Sequence, residues 1–185
     1  PRLAQEPRSD NVSIVRDWEP AALTPELLDA HNAEHPAPDT EASGRWGEQL
    51  AARVAESSSR FVSVKWVNEH EEAGLPYVIE AVEAMPPAAA GAAAPDTTVE
   101  QTQSERRVYI EVKTTTSQDR ELFEVSPAEV DFMRRAGPAF EIHRIWGAGS
   151  QGVRIARLRH PAAHLAAGKL ALLMSSGGAG LLSRD

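Results

Sequence analysis

Apolar side chains recur every fourth position at Trp46, Leu50 and Val54, a spacing that lines one face of a helix starting at Ser43. Glu48 falls off that stripe. Its neighbours Ala51, Ala52 and Ala55 are small enough to let the helix lie close on a sheet and leave the carboxylate at the seam. The pattern then switches to alternation. Phe61 to Val67 reads as a strand with Val62, Val64 and Trp66 on one face, followed by an acidic turn over Glu69 to Gly74 and a second strand beginning at Leu75-Pro76-Tyr77. In a third strand Val108, Ile110 and Val112 face a core, while Tyr109, Glu111 and Lys113 project together from the other side. Ser126-Pro127-Ala128-Glu129 combines an N-cap, proline at the first helical position and glutamate at the third, and Gly137-Pro138 stops the helix so begun. Phe140 to Trp146 and Val153 to Leu158 alternate as two more strands. The order helix, three strands, helix, two strands (α-β-β-β-α-β-β) predicts an α/β fold with a mixed central sheet of about five strands flanked by helices.

Outside this core the periodicity weakens. Residues 1–42 are rich in Pro, Ala, Asp and Glu and hold one short helix starting at Thr24-Pro25, which reads as an acidic linker or docking arm. The core domain is expected over 43–175. Within it residues 82–106, with Met85-Pro86-Pro87, the alanine tract from Ala88 to Ala94 and Pro95, have no apolar period and predict a low-complexity insertion forming a mobile loop. Residues 176–185 read as a flexible tail, and the missing initiator Met predicts a piece excised from something longer.

The chain has no cysteine, so disulfides and thiolate-held metals are excluded and any metal needs oxygen or nitrogen ligands. Its longest apolar run, Leu170 to Met174, is far too short for a membrane span. The net charge of -8 argues against indiscriminate nucleic-acid binding, but the charge is uneven. Residues 1–100 carry 7 Lys+Arg against 18 Asp+Glu, and residues 101–160 carry 10 against 8. Arg134, Arg135, Arg144, Arg154, Arg157 and Arg159 make the second half locally basic, which suits a phosphate backbone or ordinary solvated charge.

Gly147 to Gly152 matches G-x-G-x-x-G, yet a strand rather than a helix follows and no acidic residue comes before Asp185, so it reads as a hairpin turn. The pairs His31/His35 and His160/His164 have helical ligand spacing but lie beside prolines without the accompanying glutamate, and read as surface histidines. Glu111-x-Lys113 is more suggestive. A carboxylate and an amine two residues apart on one strand face can hold a metal and steer a water, or form a simple ion pair.

Four segments extend this pattern: Gly44-Arg45-Trp46-Gly47-Glu48, Val64-Lys65-Trp66-Val67-Asn68-Glu69, Gly74-Leu75-Pro76-Tyr77 and Tyr109-Ile110-Glu111-Val112-Lys113-Thr114. Together they resemble the NO VEIN C-terminal domain, a PD-(D/E)XK nuclease-like module, over about Gly44 to Met174 without the insertion. The resemblance implies a restriction-endonuclease-like core in which a helix Glu, an Asp on the second strand and Glu-x-Lys on the third surround a divalent metal. Glu48 and Glu111 would then hold Mg²⁺, with Lys113 orienting or activating a water. Where the family pattern reads Leu-Pro-Tyr-Asp, this chain has Leu75-Pro76-Tyr77-Val78. Losing one carboxylate weakens a site for a hard cation. Glu80, of the same strand parity but about 7 Å further along, is the candidate substitute ligand. The expectation is a pseudo-nuclease, weakened or degenerate, serving as a binding or scaffold module of a larger protein. The alternative is an active metal-dependent nuclease cutting DNA or RNA. Nucleic acid and other protein domains are the expected partners, with no membrane. The resemblance also implies a nuclear setting in a plant-like source, or ATPase or helicase-like partners in microbes.

Overall fold

Alternating segments along the chain assemble into a six-stranded sheet. The computed structural model describes residues 18–20, 24–34, 41–85, 105–120, 122–150, 152–175 and 178–183. The helices are α1 (Pro25–Glu34), α2 (Ser43–Glu56), α3 (Pro127–Ala136) and α4 (Pro161–Ala166). The strands are β1 (Trp18–Pro20), β2 (Phe61–Trp66), β3 (Ile79–Ala84), β4 (Glu105–Thr114), β5 (Phe123–Val125), β6 (Phe140–Trp146), β7 (Arg154–Arg159), β8 (Leu170–Ser175) and β9 (Gly178–Ser183). The main sheet runs β1, β7, β6, β4, β3, β2; β4 and β6 are parallel and the other neighbours antiparallel. Parallel neighbours cannot be joined by a hairpin, and α3 occupies the crossover between them. The α/β class and the mixed sheet agree with the sequence reading, with β1 added as a sixth strand at one edge. A second sheet, β5-β9-β8, was not foreseen.

Each face of the main sheet carries its own apolar layer. Leu50 and Val54 of α2 pack with Ile79, Val108, Ile110 and Ile145, while Val130 and Met133 of α3 pack with Phe140, Ile142 and Leu158. The face expected to project freely with Tyr109, Glu111 and Lys113 is therefore covered, and Tyr109 packs against Tyr77 and Phe132 with ring centroids 4.8 and 5.1 Å away. A central strand with helices on both sides has no open face.

Several expectations are corrected by local geometry. The β2–β3 register shifts between Phe61 and Ser63, so Phe61 and Val64 pack against the first layer and Val62 is turned out, 58% exposed. β3 begins at Ile79 rather than Leu75, although Val78 N–H still donates to the Ile110 carbonyl at 3.0 Å. The insertion is shorter than 82–106: Ala84 pairs with Glu105 in the β3–β4 ladder, and residues 86–104 lie outside the described residues. The expected arm joins the fold, with β1 paired to β7 and Leu28 of α1 in the first layer. His31 is buried rather than on the surface, because α1 packs on α2 and sets the imidazole edge-on to Trp46 at 4.8 Å. His35 lies outside the described residues. The expected tail contains β9, paired with β5 and β8. The G-x-G-x-x-G segment is a turn between antiparallel β6 and β7, with Gly147 and Gly149 at φ +68° and +77°. Among the described residues no helix is long and apolar enough to cross a membrane.

α2 closes on β4 at Gly47. A Cβ at Gly47 would stand 1.9 Å from Thr114 Oγ1 and 2.8 Å from its Cβ, a clash with a stiff β-branched side chain. Gly47→Ala should destabilise the domain by about 1–3 kcal/mol, the usual cost of overpacking. Thr114→Ala in the same chain should recover part of that loss, and urea unfolding of the three proteins provides the comparison.

Candidate functional site

The sheet opens at the end where Glu111 and Lys113 lie. β3 pairs with β4 only as far as Ile110, so Glu111 to Thr114 pair with β6 alone. This end is flanked by the first half of α2 and by the N-terminus of α3. Lys113 Nζ lies 3.0 Å from Glu111 Oε1 and 2.8 Å from Glu129 Oε2. Glu129 occupies the third position of α3, where its Oε2 also accepts the Ser126 N–H at 3.1 Å while Ser126 Oγ accepts the Glu129 N–H at 3.2 Å. The reciprocal cap thus aims a carboxylate at β4. Sequence reasoning saw Glu129 only as a capping residue; the cap motif itself was the signal for its direction.

Burial, reinforced by the Glu129 and Glu48 charges and opposed by Lys113, pushes the Glu111 carboxyl up to about 7. Burial works against the Lys113 charge as well, but the two carboxylates outweigh it and hold the amine above its ordinary range. Lys113 is therefore an ammonium at neutral pH. It can donate hydrogen bonds and supply positive charge, but it is not a ready base.

The other predicted residues divide. Glu48 reaches this end of the sheet: its Oε2 accepts Trp66 Nε1–H at 3.2 Å, burial raises its pKa, and its charge is felt by Glu111. The Arg45 guanidinium lies 4.0 Å from the Trp66 ring centroid and fixes that indole from above. Glu80 does not converge with them. It sits opposite Tyr109 and pairs at 3.1 Å with Arg107, which is further from Glu111 along β4. Val78 is 6% exposed and belongs to the apolar layer under α2.

Whether these side chains suit a divalent cation can be tested on the donor set. Among the described residues no three His, Cys, Asp or Glu side chains come together in a way that could hold a metal ion. Glu111 is shared with an ammonium, Glu48 with an indole and Glu80 with a guanidinium. The expected magnesium set of Glu48, Glu111 and Glu80 does not fit this arrangement.

A cavity of about 330 Å³ opens beside Lys113, lined by Thr114, Thr115, Arg120, Phe123 and Arg144. Arg144 departs from the reading of solvated charge. It is buried, donates to the Arg120 carbonyl at 2.7 Å and lies 5.3 Å from the Phe123 ring. The alternation of β6 hid this, because strand parity places Arg144 level with Lys113 without telling what covers it.

Residues 47–158, which take in most of α2, the fork of the sheet, Glu129 and the cavity, match the family described as Protein NO VEIN, C-terminal. The chain belongs to the NO VEIN C-terminal family. It is also similar to the Protein NO VEIN-LIKE of Arabidopsis thaliana, with 30% identity over 111 residues. That alignment covers 59% of this chain and 14% of the relative. No solved structure matches. The NO VEIN match begins at Gly47, the residue whose missing side chain lets α2 close on β4.

The raised Glu111 pKa sets a pH dependence. The fold prefers the protonated carboxyl, so its contribution is fully present below the ordinary value of 4.5 and is lost as pH rises through about 7. Glu111→Gln removes the titration. Relative to that variant the wild type should lose stability steadily across this window, as read by urea unfolding at a series of pH values.

Proposed function

We propose that this domain is a nuclease-derived binding module: a PD-(D/E)XK-like core that has lost phosphodiester hydrolysis and keeps a basic cleft for a nucleic-acid backbone. The observation that carries this reading is Val78. Where the resemblance expects the metal-bridging Asp, a buried valine joins the apolar layer, and the nearest substitute, Glu80, is held by Arg107. Without that carboxylate a hard cation lacks the oxygen ligands it requires. The cleft supports the binding half of the proposal, since Lys113, Arg120 and Arg144 line it against the single acidic residue Glu124. A net charge of -8 opposes a polyanion at long range, so the expected binding is weak and rests on few phosphates. The 14% share of the Arabidopsis relative supports a role as one unit in a larger assembly, with a nuclear setting part of the same proposal.

A second reading, an active metal-dependent nuclease, is favoured by one observation. Glu111 and Lys113 remain side by side on β4 with Glu48 close enough to affect Glu111. Cleavage assays on single- and double-stranded DNA and RNA with Mg²⁺ or Mn²⁺, beside oligonucleotide binding at several salt concentrations, separate the two. The binding module should leave the strands intact and bind with a log–log salt slope of about -2 to -3, corresponding to roughly three phosphate contacts. Val78→Asp should gain stabilisation by Mn²⁺ that the wild type lacks, measured as a rise in Tm. Robust wild-type cleavage abolished by Lys113→Ala would establish the active nuclease instead.

A further inference from the structure

A second charged cavity lies on the opposite face of the sheet. On β6 the residues alternate, so Arg144 shares the Lys113 side while His143, level with Val112, faces α2. There a buried ion-pair layer forms. Arg60 donates to Glu83 at 2.7 Å and through both terminal nitrogens to Glu141, Arg106 pairs with Glu83, and Arg159 pairs with Glu19 at 3.0 Å. Arg157 stands between Glu19 and His143 in the ladder, yet among the described residues it has no ion pair or hydrogen bond, and its Nε is buried. Arg60, Arg106, Arg157 and Arg159 thus face Glu19, Glu83 and Glu141, leaving one positive charge uncompensated. An unpaired half-buried guanidinium is costly, and burial together with Arg159 and Arg60 pulls its pKa below the usual range.

The Arg157 side chain borders a cavity of about 220 Å³ under the C-terminal end of α2, lined also by His143, Phe61 and the Ser57 to Ser59 turn. His143 is 1% exposed. Among the described residues neither buried ring nitrogen has a hydrogen-bond partner: Nε2 faces Glu141 Oε2 at 3.5 Å, too long for a good hydrogen bond, and Nδ1 has no carboxylate near it in the ion-pair layer. A neutral imidazole carrying its proton on Nε2, toward that carboxylate, presents a lone pair at Nδ1. The cavity therefore offers one cation and one buried acceptor. A sulfate can use only the first. A phosphate carrying one negative charge and a P–OH group can use both, the hydroxyl donating to Nδ1.

We propose that this cavity binds a phosphate monoanion, either free or as the terminal group of a small phosphate monoester, with Arg157 as the charge partner and His143 Nδ1 as acceptor of the P–OH proton. The site is separate from the Lys113 cleft and does not depend on how that cleft is read.

The test is an NMR titration of the whole chain with inorganic phosphate, methyl phosphate and sulfate at matched ionic strength and mildly acidic pH. Phosphate should shift the amides of Ser58, Ser59 and Phe61 saturably and bind roughly tenfold or more tighter than sulfate, the equivalent of one hydrogen bond or so. Methyl phosphate acting like inorganic phosphate identifies a monoester ligand; inorganic phosphate acting alone identifies the free ion. Arg157→Gln should lose most of the affinity. Equal binding of sulfate, shifts confined to Thr115 and Arg120 in the other cleft, or undiminished affinity in Arg157→Gln would each overturn the proposal. Mapping on the wild type keeps the test decisive even if the variant folds poorly.

Discussion

The close seating of α2 on β4 governs the functional end of this domain. Gly47 allows the helix axis to approach until its backbone meets Thr114. One residue later Glu48 is delivered to the fork of the sheet, and one and two turns later Leu50 and Val54 enter the apolar layer. A larger residue at Gly47 would lift the helix, separate Glu48 from Trp66 and open the layer beneath. Helix position, core packing and site electrostatics are therefore a single mechanical problem, solved by the absence of one side chain.

Much of this was legible because burial is periodic. Trp46, Leu50 and Val54 announced α2, Val108, Ile110 and Val112 announced β4, and Ser126 with Glu129 announced α3. What stayed hidden was set by partners distant in sequence. Val62 has the right parity for the core, but a slip in pairing with β3 turns it outward, and no local pattern encodes that slip. Arg144 and His31 carry polar groups in buried places because Phe123 and Trp46 cover them, contacts that span many residues. The short strands β1, β5, β8 and β9 are stabilised by pairing rather than by strong periods of their own. In the candidate site Glu111, Lys113 and Glu48 were found from their motif, while Glu129 was found only as a cap, although capping geometry is what turns its carboxylate toward Lys113.

The two faces of the sheet handle buried charge differently. Beneath α2, Arg60 holds Glu141 so firmly that its carboxyl falls to about 2 despite burial, with His143 assisting. On the α3 side Glu111 shares one ammonium with Glu129, and its carboxyl rises to about 7. The distinction is stoichiometric. Glu141 receives a bidentate guanidinium, which satisfies both oxygens, whereas two carboxylates divide a single point charge in the other cluster. The first arrangement is rigid and structural; the second leaves a carboxyl able to change protonation near neutral pH.

That unequal division also bears on why an apolar side chain is accommodated beside this cluster. A metal-binding carboxylate cluster is mutually repulsive when the cation is absent, and it weakens the apo protein. At Val78 an apolar side chain adds burial to the layer under α2 and places no further negative charge near Glu48 and Glu111. Glu111 and Glu129 share the Lys113 ammonium, while Glu48 accepts from the Trp66 indole. The ammonium is thereby fixed at the edge of a cleft lined by Arg120 and Arg144. Positive potential in that cleft therefore comes from Arg120 and Arg144 rather than from Lys113, whose charge two carboxylates already share.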